Sequence, residues 1–133
     1  MNRDSVIAKL LEYLSEFLYH DLMFSELIDL IAKTGQEKKF FSQLVIRLRH
    51  LSCFGVQAAT HDGFENIGKG LFSMHFESKE YNIRILFSFM PNGQSALLLS
   101  FYEREGKRKT DYTPHIEPAI SRLKQMKEDY IDE

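Results

Sequence analysis

The sequence has little cysteine, no excess of positive charge and no long apolar run, and each absence excludes a class of protein. Its single cysteine, Cys53, excludes an intramolecular disulfide and a cysteine-rich zinc site, and it favours a reducing compartment. Lys and Arg total 17 against 19 for Asp and Glu, so nucleic-acid binding would have to depend on a local basic patch. No apolar run approaches the roughly 18 residues that span a bilayer. The opening Met-Asn-Arg-Asp lacks a signal-peptide pattern, and we therefore expect a cytoplasmic protein with no membrane association.

Length and composition predict one folded domain over residues 1–133. The hydrophobic fraction of 44% is enough for a core in a chain of 133 residues. The sequence contains no internal repeat, low-complexity tract or shift of composition that would mark a second domain. We therefore interpret the chain as a single unit.

The N-terminal segment, residues 1–35, is acidic and has helical spacing. Apolar residues recur at this spacing through residues 5–33, Asp21 is a candidate N-cap that would divide the segment into two helices, and Gly35 is a candidate stop. The acidic residues form either a solvated helix face or a docking surface for a basic partner.

A basic segment follows the acidic one. Residues 38–51 have the pattern of an amphipathic helix that ends near Gly55 and carries Arg47 on its outer face. Such a face can contact phosphates, although ordinary soluble helices have the same pattern. Residues 56–70 are predicted to be an irregular connection, in which the pair His61 and Asp62 is weak evidence for a metal or catalytic site. We expect no metal and no cofactor.

Three strands form the centre of the predicted fold, as an antiparallel meander over residues 71–76, 81–89 and 95–103. If Phe76 pairs with Tyr81 and Phe89 with Ser95, the side chains separate into two faces. The polar face then carries His75 opposite Asn82 and Arg84 opposite Ser100, with Tyr102 also opposite Asn82. The strongly apolar face is Phe72, Met74, Phe76, Ile83, Ile85, Phe87, Leu97, Leu99 and Phe101.

A C-terminal helix completes the predicted fold. It starts at Thr113-Pro114, which suit the N-cap and first helical position, or at Pro118, which would interrupt a helix that began earlier. We therefore expect an α+β domain in which helices pack on one face of a twisted antiparallel sheet.

One end of the polar sheet face collects groups suited to phosphate chemistry. It carries His75, Asn82, Arg84 and Tyr102, and the chain continues into the cations Arg104, Lys107, Arg108 and Lys109. An arginine can stabilise a phosphoryl transition state, and a histidine can exchange protons near neutral pH. A metal-independent ribonuclease needs such groups, but the solvated face of a one-sided sheet would contain the same residue types.

The sequence resembles the RelE/ParE toxin superfamily, and within it the HigB-like, phage-derived branch. The resemblance lies in Ile-Arg-Ile-Leu-Phe at residues 83–87, Leu-Leu-Leu-Ser-Phe at 97–101, the basic segment that ends in Thr113-Pro114, and the closing helix. It covers roughly residues 71–129, and residues 38–55 resemble the helix that precedes the sheet in that family. Relatives usually begin with a strand and are basic, whereas this chain opens with acidic helices. Leu99 also replaces a histidine of the family pattern.

The resemblance implies a toxin of a type II toxin–antitoxin system, with a RelE/ParE-like fold and a cognate antitoxin protein as partner. It implies a ribosome-dependent, metal-independent endoribonuclease that cleaves mRNA. Arg84 matches the strand arginine that binds phosphate in the family, and Tyr102, His75 and Arg104 are the other expected catalytic residues. The expected RNA-binding residues are Lys107, Arg108, Lys109, Asn82 and Arg47.

Two other functions fit the same sequence. The chain could be a toxin that inhibits a protein target such as DNA gyrase, which would block replication and leave mRNA intact. It could also be a non-catalytic interaction protein of a mobile element, which would show neither toxicity nor RNA cleavage. The sequence does not determine the oligomeric state.

Overall fold

The computed structural model describes residues 1–103 and 111–131 and confirms an α+β fold. Arg104, Lys107, Arg108 and Lys109 lie outside the described residues. The helices are α1 (Arg3–Tyr13), α2 (Asp21–Thr34), α3 (Glu37–Phe54) and α4 (Thr113–Ile131), and a 3-10 helix covers Gly55–Thr60. The strands are β1 (Leu18–Tyr19), β2 (Phe64–Gly68), β3 (Leu71–Glu77), β4 (Asn82–Phe89) and β5 (Ser95–Tyr102).

The strands form one mixed sheet in the order β1-β5-β4-β3-β2. Strands β2 to β5 are an antiparallel meander, but β1 pairs with β5 in parallel, with Leu18 beside Ala96 and Tyr19 beside Leu97. The expectation of a purely antiparallel sheet is therefore wrong. The expectation of an irregular connection over residues 56–70 is also wrong, because a 3-10 helix and β2 occupy most of it.

Helices cover both faces of the sheet, whereas the sequence predicted helices on one face only. Helices α1, α2 and α3 pack on what we call the first face, which includes Ile83, Ile85 and Phe87. Helix α4 packs on the second face through Ala119. Helix α4 covers this face because a second apolar cluster there must also be removed from water. The buried members of that cluster are Leu71, Leu86, Met90, Ala96, Leu98, Leu99, Phe101 and Ala119.

The N-terminal helices begin and end where local chemistry allows. Helix α2 follows β1 directly, and its N-cap is His20 rather than Asp21, since the His20 ring accepts a hydrogen bond from the Leu22 N–H at 3.1 Å. Gly35 ends the helix with φ 67°, as predicted. The third helix is confirmed and extends to Phe54, just before Gly55.

The register between β3 and β4 differs from the predicted one by two residues. Phe76 pairs with Ile83 instead of Tyr81, and His75 therefore lies opposite Arg84 instead of Asn82. Tyr81 is withdrawn from the ladder because its backbone closes the loop with Ser78 and its buried hydroxyl donates to Gln43 at 2.6 Å. A shift of two residues preserves the faces of both strands.

A β-bulge changes the faces of β5. Phe89 pairs with Ser95 as predicted, but Leu86 pairs with Leu99 and Phe87 with Leu97, so Leu98 is an extra residue in β5. The residues after Leu98 therefore lie on the opposite face from the predicted one. Two of the residues expected on the first face, Leu99 and Phe101, lie on the second. The pairs predicted for Ser100 and Tyr102 are also wrong, because Ile85 and Ile83 are their respective partners.

Helix α4 begins at Thr113, the first of the two predicted starts. Pro118 lies inside the helix, where it removes one backbone hydrogen bond. The apolar side of the helix still packs against the second face through Ile116, Ile120 and Leu123. Burial of this side compensates for the lost bond.

Side chains from α2 and α4 meet at the outer edge of β5. The Glu26 carboxylate accepts two hydrogen bonds from Arg122, both of 2.8 Å. Glu26 also accepts the Ser100 N–H at 3.1 Å, and Arg122 donates to the Leu98 carbonyl at 3.0 Å. The pair therefore satisfies backbone groups of β5 beyond the short β1, and it connects helices on opposite faces.

Candidate functional site

A polar cluster lies on the second face, where β3 and β4 are joined by their loop. We call it the His75–Arg84 cluster. His75 and Arg84 are direct cross-strand neighbours, which brings together two of the predicted catalytic residues. The members of the cluster are Glu65 of β2, His75 and Glu77 of β3, Asn82 and Arg84 of β4, and Tyr112, which immediately precedes α4.

Arg84 is held in a fixed position and is only 5% exposed. One terminal nitrogen donates to Asn82 Oδ1 at 2.6 Å, and the other donates to Glu77 Oε1 at 2.9 Å. Its Nε is buried and has no hydrogen-bond partner among the described residues. The guanidinium is therefore a preorganised positive charge, but two of its donor groups are already in use.

His75 is neutral at physiological pH. Burial, assisted by the positive charge of Arg84, lowers the pKa of His75 to about 4, although the negative charge of Glu77 acts in the opposite direction. Its Nε2 is 3.2 Å from the Tyr112 hydroxyl and 3.5 Å from Glu65 Oε2. A neutral imidazole can accept a proton, and once protonated this one would be a strong acid.

The Tyr112 hydroxyl connects His75 with Glu65. It donates to Glu65 Oε2 at 3.3 Å, and burial raises the pKa of Tyr112, so the hydroxyl keeps its proton at neutral pH. Because a tyrosine has a single hydroxyl proton, His75 then donates to Tyr112 from Nε2. This chain of hydrogen bonds provides a route along which a proton can move between three side chains.

Arg47 supports the cluster from α3. Its Nε donates to the backbone carbonyl of His75 at 3.1 Å, and its guanidinium lies 6.0 Å from the Phe64 ring. A Cβ at Gly63 would clash with this guanidinium, so the glycine leaves the room that Arg47 occupies. With its Nε bonded to the sheet backbone, Arg47 borders a cleft of about 230 Å³ that also touches Gln43 and Glu77.

Tyr102 does not join the cluster. After the bulge at Leu98 it lies on the first face, 45% exposed, opposite Ile83. There it borders a different cleft of about 360 Å³, beside Lys33 and Tyr81. The structure thus separates Tyr102 from His75 and Arg84, with which the sequence had grouped it.

The described residues on either side of the C-terminal basic segment lie beside the cluster. The segment comprises residues 104–110, which are not described, but the residues that flank it are. Before it, Glu103 is buried and donates its N–H to the Asn82 carbonyl at 2.8 Å. After it, Tyr112 contacts His75. The chain therefore leaves and re-enters the described structure beside the cluster.

The sequence did not predict three members of the cluster, namely Glu65, Glu77 and Tyr112. Glu65 lies in the predicted irregular connection, and Tyr112 depends on the path of the chain after the sheet. Glu77 could have been found, because it continues the alternation of Ser73 and His75 on one face. The metal interpretation of the pair His61 and Asp62 receives no support, since the described residues contain no group of three or more metal-binding side chains.

Comparisons with known proteins give no further assignment. No protein-family model matches the chain, and no curated protein is significantly similar to it. Within residues 1–103 and 111–131, no helix combines the length and apolar character needed to cross a membrane.

Proposed function

We propose that the protein is an endoribonuclease toxin of a type II toxin–antitoxin system and that the His75–Arg84 cluster is its active site. The observation that carries the proposal is a neutral His75 directly opposite a fixed Arg84. The residues that flank the basic segment, Glu103 and Tyr112, lie beside this pair. The charge of Arg84 suits a phosphorane, and the basic segment would hold the RNA backbone.

The proposed reaction is transfer of a phosphoryl group within the RNA chain. His75 accepts the proton of a ribose 2′-hydroxyl, and the 2′-oxygen attacks the adjacent phosphorus. The bond from phosphorus to the 5′-oxygen breaks, and the leaving oxygen takes a proton from the Tyr112 hydroxyl. His75 gains the ribose proton at Nδ1 and passes its Nε2 proton to Tyr112 through their hydrogen bond of 3.2 Å, after which proton exchange with water restores the starting tautomer. The products are a 2′,3′-cyclic phosphate and a free 5′-hydroxyl.

Two features support the finer assignment to a RelE/ParE-like fold. Relatives are expected to begin with a strand, and β1 precedes α2 and α3 and lies at the edge of the sheet. Helix α1 is then the only described element that precedes the arrangement expected of a RelE/ParE-like fold. The strand arginine of the family pattern, Arg84, lies at the centre of the cluster. Ribosome-bound mRNA as the substrate and a cognate antitoxin as the partner depend on this resemblance.

The test is induction of the chain in a bacterial host, with growth and transcript 5′ ends followed together. We expect new transcript ends with the native chain and their loss with His75→Gln and with Tyr112→Phe. Tyr102→Phe is the matched control, because Tyr102 lies on the other face and its loss should not stop cleavage. Thermal melting of each purified variant separates lost chemistry from lost folding. Cleavage that persists in folded His75→Gln would overturn the assignment.

A toxin that inhibits a protein target is the second candidate, because the burial of Arg84 argues against contact between its guanidinium and a phosphate. Only 5% of Arg84 is exposed, and Glu77 and Asn82 already occupy its terminal nitrogens. If Arg84 only stabilises the fold through these hydrogen bonds, no phosphate has to bind beside it. Growth arrest with intact transcripts, unchanged in His75→Gln, would identify this function.

A further inference from the structure

An open groove on the helical side of the molecule lies between α1 and α3. It has a volume of about 620 Å³, and none of its lining residues belongs to the His75–Arg84 cluster. The floor is apolar, since Tyr13 and Phe41 lie with their ring centroids 5.5 Å apart. Ile46 of α3 borders the same groove and is 48% exposed. Met1 and Val45 line the groove as well, so Ile46 belongs to a continuous apolar patch, and such a patch is typical of a surface that binds another chain.

The rim of the groove is positively charged. Lys9 of α1 and Lys38 and Arg49 of α3 line it, and none of the described residues that line it carries a carboxylate. These three cations form no ion pair with any described residue. The ammonium group of Lys9 lies over the Tyr13 ring, 5.9 Å from its centroid. The groove thus presents unpaired positive charge around an apolar centre in a chain whose net charge is −2.

The dimensions fit a short peptide. Lys38 and Arg49 are separated by three turns of α3, which corresponds to about 17 Å along a helix axis. A partner helix of about three turns, or roughly five residues of extended chain, would cover this length. We propose that the groove is a docking site for an acidic segment of a partner protein, with an aliphatic or aromatic side chain that packs beside Val45 and Ile46.

The apolar floor favours a peptide over the other anionic partners. A nucleic acid would use phosphates on the rim, but the Phe41 ring is buried and the Tyr13 ring already packs against Phe41 and Lys9, which leaves little aromatic surface for a base to stack on. An anionic membrane would cover more than the groove and would also approach Glu12, which is exposed on α1 three residues after Lys9. This docking site is independent of the ribonuclease proposal, because it depends on none of the same residues.

Peptide selection on the purified full chain tests the groove. A phage-displayed library of random peptides is selected on the native chain, and an enriched peptide is then synthesised and titrated. We expect acidic peptides with at least one large apolar residue. Their affinity should fall about tenfold or more in Lys38→Glu/Arg49→Glu, because each reversed charge removes an attraction and adds a repulsion. Ile46→Ser, which removes the apolar contact without a change of charge, should also weaken binding.

A matched double reversal is the control. Lys79 and Lys124 are exposed and lie outside the groove, so Lys79→Glu/Lys124→Glu makes the same change of net charge and should alter affinity less than about twofold. Equal loss in both double variants, or full binding in folded Ile46→Ser, would overturn the proposal. It would also be overturned if no acidic peptide were enriched, or if only an oligonucleotide or phosphatidylserine vesicles bound the groove.

Discussion

Replacement of Glu26 by alanine should destabilise the protein far more than replacement of a similar carboxylate on the same helix. Glu26 is 32% exposed and its partner Arg122 is 15% exposed, and together they make two hydrogen bonds of 2.8 Å. The substitution also removes the acceptor of the Ser100 N–H. A hydrogen bond to a charged group contributes about 1.5–3 kcal/mol, and partial exposure reduces the loss of a buried pair. We expect Glu26→Ala to lower the free energy of unfolding by about 2–3 kcal/mol.

Asp29 provides the control for this effect. It pairs with Arg3 at 2.8 Å, the same distance, but both side chains are more than half exposed, at 57% and 58% respectively. Asp29→Ala should therefore cost less than about 1 kcal/mol. Thermal unfolding should show a midpoint lowered by roughly 6–9 °C for Glu26→Ala and by at most about 3 °C for Asp29→Ala.

A double-mutant cycle distinguishes the pair from its backbone contacts. If the ion pair dominates, Glu26→Ala/Arg122→Ala should be less destabilised than the sum of the single variants by about 1–2 kcal/mol. Equal midpoints for Glu26→Ala and Asp29→Ala would refute the reasoning, because exposure would then not determine the contribution of these pairs.

Two further results are expected from the cluster and its surroundings. Because folding depresses the pKa of His75 from 6.5 to about 4, its contribution to stability is complete above pH 6.5 and is lost as the pH falls through about 4. Urea unfolding at pH 7 and pH 4 should show a loss of about 2 kcal/mol from this residue, after allowance for solvent screening, that is absent in His75→Gln. Gly63→Ala should destabilise more than Gly93→Ala, since both have positive φ, at 86° and 88°, but only Gly63 faces the Arg47 guanidinium. Similar unfolding midpoints for the two alanine variants would show that Arg47 moves aside freely.

The sequence allowed much of the meander to be predicted, because long runs with period-two alternation dominate that region. The strands β3, β4 and β5 have nearly the expected bounds, and the pairing of Phe89 with Ser95 is correct. The bulge at Leu98 could not be predicted, since Leu97, Leu98 and Leu99 are all apolar and fit either face. That ambiguity moved Phe101 and Tyr102 to the wrong faces.

The candidate site was predicted in part for the same reason. His75, Asn82 and Arg84 lie before the bulge in the pairing, so an error of two residues left them on one face. Glu65 approaches His75 because β2, which was predicted to be an irregular connection, pairs with β3, whereas Tyr112 approaches His75 through tertiary packing of the chain after the sheet. Such contacts have no signal in local periodicity. The strand β1 was missed because a strand of two residues is too short to show any alternation.

The cover of the second face by α4 has a consequence during protein synthesis. Helix α4 follows all five strands of the described sheet, so the ribosome makes these strands before the helix that covers them. Until α4 emerges, Leu98 and Phe101 face water. At the edge of β5 beside Ser100, Glu26 also lacks its partner Arg122. An uncovered apolar face next to an open strand edge favours association between nascent chains. Translation that stops before α4 should therefore yield an aggregation-prone product, and quality control of incomplete chains would act most strongly at this stage.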